Sequence, residues 1–234
     1  MKRLIVASVV LLSVALSGCQ DSKDEAQPLS EKDFYKTIGE EIPVETAIKW
    51  MVLYRKERSV QGRLEGTPFY SVSADHMKAA LTSADDLVGV AFHHALDDNG
   101  ERHILVIPVD ATLGLWSDTP RMLLDANTNT EISADVASAW ASNYKTAYPD
   151  EKWFHFFGKD VFDQMSALPY FSSVELEPAI SELDFTPQLL LIVPNDEGES
   201  DEAETDASGR TSSLSLLYGA VYDASNSCPP CAVY

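Results

Sequence analysis

The chain has 234 residues, of which 37 are Asp or Glu and 17 are Lys or Arg, a formal charge of −20 at pH 7. Phosphate backbones and anionic lipid headgroups are held by clustered Lys and Arg, so a chain this acidic argues against nucleic acid as a partner. Apolar residues make up 45% of it, enough to bury a core at a length that suits one large domain or two small ones.

Met1-Lys2-Arg3 is a basic start, Leu4 to Leu16 is apolar or small throughout, and Leu16-Ser17-Gly18-Cys19 follows at once. Crossing a bilayer takes about 20 apolar residues, so this run is too short to span and sits where a secretory signal belongs. Its order resembles a bacterial lipobox. The resemblance implies removal of residues 1–18, a diacylglyceryl group on the Cys19 thiol and acylation of the new amino terminus, and two or more acyl chains anchor stably where one does not. Loss of Lys2 and Arg3 leaves 15 basic side chains against 37 acidic ones, a formal charge of −22. Gln20 is not the Asp that retains many lipoproteins in the inner membrane, so the outer membrane is favoured. The expected partners are the membrane, through the lipid on Cys19, and an envelope protein. Residues 19–39 read as a flexible tether.

An internal repeat organises the remainder. Ile42, Ala47, Trp50 and Tyr54 match Ile132, Ala137, Trp140 and Tyr144 at a constant offset of 90. In each copy Ala, Trp and Tyr fall at i, i+3 and i+7, one stripe of a helix, which makes the tryptophans core candidates. Ser133 is placed to cap the second helix, with Ile132 and Ala137 as its hydrophobic staple, and Pro43 is tolerated at the start of the first. Phe69 to Val72 and Trp153 to Phe157 then read as strands, each leading into a short amphipathic helix, Ala74 to Leu81 after a Ser73 cap and Lys159 to Leu168.

Asn99-Gly100 is a strong hairpin signal between Val88 and Val109. A two-residue turn would pair Asp98 with Glu101, Leu96 with His103, His94 with Leu105, Phe92 with Ile107 and Val90 with Val109, gathering Val88, Val90, Phe92, Leu96, Leu105, Ile107 and Val109 on one face. In the second copy the strand Leu189 to Val193 leads into an acidic stretch and resumes at Leu214 to Tyr222; residues 195–212 read as a long solvated hairpin loop. The expected fold is α+β: two diverged copies of a helix-strand-helix-antiparallel hairpin module, over 40–112 and 131–224, joined by a connector over 113–130 and followed by a tail over 225–234.

The order of Tyr144-Lys145, His155-Phe-Phe-Gly-Lys159, Gly89-Val-Ala-Phe leading to Asp98-Asn99-Gly100, Leu105-Val-Ile-Pro-Val-Asp110 and the tail Cys228-Pro-Pro-Cys231 resembles a group of short uncharacterised bacterial proteins ending in Cys-Pro-Pro-x-Cys. The tail here lacks the residue between Pro and the second Cys. The resemblance implies duplication and divergence across residues 40–234, and no activity.

With Cys19 lipidated, Cys228 and Cys231 are the remaining thiols, in an exported compartment that favours a disulfide, within one chain or between two. Three residues follow Cys231, so no helix can stabilise a thiolate there as a redox catalyst needs. His93, His94 and His103 lie close on the hairpin, where the two-residue turn puts His94 and His103 on one face and His93 on the other. Two imidazoles without a third ligand read as structural rather than metal-binding. The acidic stretch lacks the spacing of an EF-hand, and Gly-x-Ser-x-Gly, phosphate-loop and His-Glu-x-x-His motifs are absent. No cofactor, metal or catalytic residue is therefore expected. Two functional classes follow: a lipid-anchored, non-enzymatic binding or assembly module of the envelope, and an envelope enzyme, hydrolytic or thiol redox, whose site is dispersed in sequence.

Overall fold

The computed structural model of the chain describes residues 30–60, 70–116, 121–195 and 218–223. Cys19, Cys228, Cys231 and nearly all of the acidic stretch lie outside the described residues.

The first half carries α1 (Glu31–Lys36), β1 (Glu40–Glu41), α2 (Val44–Val60), β2 (Tyr70–Ser73), α3 (Ala74–Thr82), β3 (Leu87–Leu96), β4 (Arg102–Asp110) and β5 (Leu123–Asp125). The second carries β6 (Thr130–Ile132), α4 (Ala134–Ala147), β7 (Phe154–Gly158), α5 (Lys159–Ser166), β8 (Ser173–Ile180), β9 (Pro187–Pro194) and β10 (Tyr218–Asp223). Ser73 and Ser133 cap α3 and α4, accepting from the His76 and Val136 N–H groups at 3.3 and 3.4 Å. The fold is α+β, with two five-stranded antiparallel sheets and five helices.

The two halves are interleaved. One sheet runs β1-β10-β9-β8-β2 and the other β6-β5-β4-β3-β7. Each holds a three-stranded meander from one half, flanked by two strands of the other. The facing surfaces are packed by Val72, Leu176 and Leu191 from the first sheet and Val90, Phe92 and Val106 from the second, with Met77 of α3 and Phe162 of α5. Leu190 and Ile192 alternate with Leu191, so they point to the opposite face of β9, where Ala47, Trp50 and Met51 of α2 cover them. On the other sheet Ala91, Leu105 and Ile107 are covered by Ala137 and Trp140 of α4 and by Tyr35 and Ile38. Both sheets are thus buried on both faces, which explains apolar runs such as Leu189 to Val193.

Four expectations need correction. The hairpin pairs Leu96 with Arg102, Ala95 with His103, His93 with Leu105 and Phe92 with Val106, one residue away from the two-residue-turn register. The cause is Asp97. Its carboxylate accepts the Asn99 and Glu101 N–H groups at 2.9 and 2.7 Å, its N–H donates to the Glu101 carbonyl, and Gly100 takes φ +82°. Those are the marks of a three-residue loop ending in a left-handed glycine. Val90 and Phe92 consequently face the space between the sheets, while Leu105, Ile107 and Val109 face the α4 side. Because both faces are buried, the shift exposes nothing.

The flexible tether cannot reach residue 39, since α1 occupies Glu31–Lys36 and Tyr35 and Ile38 are buried. The connector 113–130 contains β5, which pairs with β4. In the second half β9 also has a partner unforeseen in the sequence, β8, at Leu176 to Leu191 and Glu177 to Leu190.

Candidate functional site

A cleft of about 530 Å³ opens between α3 and α5, with α1 along one side. Helix α5 follows β7 through Gly158 and buries Val161, Phe162 and Met165. That leaves Lys159 and Asp163, four apart on the opposite side, beside the cleft. Helix α3 contributes Lys78 and Leu81, and α1 contributes Lys32 and Lys36.

Four lysines therefore share one concavity in a chain of net charge −20. Asp86 and Asp163 also line it. Lys32 lies 3.3 Å from Asp86, and Lys159 pairs with Asp163. Lys36 reaches Asp33 at 3.2 Å, whose carboxyl is held below its ordinary range by the Ser30 hydroxyl and then by this lysine. The Lys78 ammonium sits 5.8 Å from the Phe171 ring centroid. Counting the lining side chains alone, the cleft carries two positive charges in excess. Such a basin, walled partly by Leu81 and Phe162, suits a small anion with an apolar part.

The histidines lie further along β3, where His93 and His94 stand about 20 Å from Leu87 of the cleft at 3.3 Å per residue. In the observed register His93 and His103 share a face and His94 points to the other, the reverse of the sequence-based pairing. The His93 ring stacks on Phe154 and donates from Nδ1 to the His94 carbonyl at 2.6 Å. His94 stacks on Tyr144, 5.3 Å between ring centroids, and meets His155 edge-on at 5.7 Å. Burial, followed by the neighbouring His93 and Arg102, lowers His94 to about 3. Burial also holds His93 and His155 below the ordinary imidazole value. These three are neutral at pH 7, His93 and His155 buried and His94 partly buried.

His103 differs. Its Nδ1 lies 3.1 Å from both oxygens of Asp125, the orienting pair of a His-Asp hydrolase. A hydrolase of the nucleophile-His-Asp type also places a hydroxyl or thiol on the second ring nitrogen, and among the described residues His103 Nε2 has no hydrogen-bond partner. The expected lipidation site Cys19 and disulfide pair Cys228 and Cys231 lie outside the described residues.

Sequence reading did not find the cleft, because Lys32, Lys36, Lys78 and Lys159 come from three helices and carry no common spacing. The His103 and Asp125 pair spans 22 residues, and only the β4 to β5 pairing brings it together. No protein-family model, curated protein or solved structure matches this chain.

Proposed function

We propose that this chain is a lipid-anchored, non-enzymatic binding module of the cell envelope, held to the membrane through Cys19, whose cleft takes a small anionic ligand bearing phosphate or carboxylate. The observation that supports this reading is the gathering of Lys32, Lys36, Lys78 and Lys159 around one concavity on a chain of charge −20. Solubility favours the acidic surface elsewhere, whereas lysines assembled from three helices against that background suit recognition. The proposal extends to origin. Each half runs strand, helix, strand, helix and then three strands, and α3 and α5, which flank the cleft, occupy equivalent places in that order. This supports a duplicated module whose binding site formed between the copies.

Calorimetric titration of the purified chain with inorganic pyrophosphate and with citrate tests the ligand class. Lys78→Glu and Lys159→Glu should each weaken binding about tenfold or more, roughly 1.4 kcal/mol, and Lys49→Glu, exposed on α2, should leave it unchanged. Absence of binding to either anion, or equal weakening by Lys49→Glu, would remove the cleft from the proposal. Cys19→Ser should abolish labelling by a fatty-acid probe, and a labelled variant would remove the anchor.

A further inference from the structure

We propose that the turn end of the β3 and β4 hairpin is a divalent transition-metal site formed by Asp97, Glu101 and His103. One donor atom from each of these residues lies within 4.8 Å of the other two. Their convergence follows from the corrected register: Asp97 closes the hairpin opposite Glu101, and His103, two residues along β4, points to the same side of the ladder.

Two carboxylates at a turn would by themselves be an ordinary solvated pair. His103 makes the difference. It is only 7% exposed, and with Nδ1 engaged by Asp125 the nitrogen left to a ligand is Nε2, which is buried without a hydrogen-bond partner among the described residues. A carboxylate can only accept, so Nδ1 is the nitrogen that donates to Asp125, and a metal ion would take the lone pair of Nε2 on the neutral ring. An unsatisfied buried nitrogen is costly and calls for an explanation. Asp125 is itself fixed by the Asn127 N–H at 3.0 Å and the Thr128 hydroxyl at 2.9 Å. A carboxylate that orients an imidazole, and is in turn hydrogen-bonded, is the usual support behind a metal-bound histidine.

The donor set selects the ion. An imidazole nitrogen with two carboxylates suits Zn²⁺ or a neighbouring first-row cation better than Ca²⁺ or Mg²⁺, which prefer all-oxygen shells. Zinc bonds of about 2.1 Å in a tetrahedron put donors about 3.4 Å apart, a closure that rotation of the exposed Glu101 side chain can supply. Three protein donors leave a coordination position for water or a partner's side chain.

The test is a Zn²⁺ titration of the purified full chain, with its thiols alkylated and Mg²⁺ in excess to occupy the diffuse acidic surface. One Zn²⁺ per chain is expected. Glu101→Gln, which alters an exposed side chain, and Asp125→Asn, which alters the positioning residue, should each weaken binding about tenfold or more, with circular dichroism unchanged. Glu131→Gln, exposed on β6, should not. Co²⁺ used as the probe should give visible d–d bands, free of thiolate charge transfer, that fade in Glu101→Gln. Because His103→Gln could disturb the core, the decision rests on the other two variants. No Zn²⁺ uptake under excess Mg²⁺, or uptake indifferent to Glu101→Gln, overturns the site and assigns any cation binding to the acidic surface.

Discussion

Gly89 and Gly158 stand opposite each other across the β3 and β7 ladder, and neither has room for a Cβ. At Gly89 the added carbon would lie 2.2 Å from the Phe157 carbonyl oxygen, and at Gly158 it would lie 2.2 Å from the Lys36 carbonyl oxygen. Backbone is the obstacle in both cases, so no side-chain rotation can relieve the clash. The close approach seats the end of α1 against the sheet, where the Gly158 N–H donates to the Ile38 carbonyl at 2.7 Å.

Gly158→Ala should therefore push α1 off β7. Overpacking of this kind costs about 1–3 kcal/mol, and the loss should concentrate in residues 31–38, where Tyr35 and Ile38 are buried. Urea unfolding gives the magnitude and amide hydrogen exchange gives the place. A variant with wild-type stability and protection would mean that α1 does not dock there.

The neutral histidines set the acid limit of stability. His94, lowered to about 3, and His155, held well below the ordinary value by burial and then by Lys152 and His94, gain protons in the unfolded chain near pH 6.5 and not in the folded one. The unfolded state thus binds more protons below pH 6.5, and stability falls as pH drops from 6.5 toward the folded values. Each fully shifted histidine contributes roughly 2 kcal/mol of this loss by pH 5. The carboxyls of Asp97 and Asp110 are lowered despite burial, chiefly by backbone N–H bonds from Glu101 to the first and by bonds from Thr112 to the second, so their stabilisation is lost only at lower pH. Glu177, raised by burial, acts in the opposite sense but within the carboxylate range. Urea unfolding at pH 7, 6 and 5 should show the decline, and His94→Gln should make it shallower. Parallel curves for wild type and variant would show that His94 is not the source.

Much of the fold is legible because local signals agree with burial. The Ala, Trp and Tyr stripes mark α2 and α4, and Ser73 and Ser133 mark the caps of α3 and α4. What escapes has physical causes. The hairpin register turns on one carboxylate, that of Asp97, which favours a three-residue loop over the two-residue turn that Asn99-Gly100 suggests. Strand β8 alternates Val174 and Leu176 with Glu175 and Glu177, but Pro178 argues against a strand; among the described residues its one strand neighbour is β9, at Leu189. Strand β5 is three residues long and exists only through its neighbours. The candidate metal ligands fall within seven residues of sequence, yet Asp97 and Glu101 read as turn residues until the register puts His103 beside them.

The interleaving makes a sharper demand on folding. Divided between Ala126 and Asn127, the first fragment would keep the β3, β4 and β5 meander but lose β7, its partner along β3 from Gly89 to His93. The second would keep β8, β9 and β10 but lose β2 and β1 from the two edges. Each meander would also lose its covering helix, since α2 packs on β8 and β10 while α4 packs on β3. Asn129 stitches the halves further, donating to the Ser71 carbonyl at 2.6 Å and accepting from the Ser73 N–H at 2.9 Å. A sheet without its cover exposes apolar surface on one face and unpaired backbone at its edges. Neither fragment should therefore fold alone, and an equimolar mixture should recover the near-ultraviolet circular dichroism of the intact chain in a concentration-dependent step. A cooperative thermal transition in either isolated fragment would show that the halves are independent domains and that the interleaved sheets are wrongly connected.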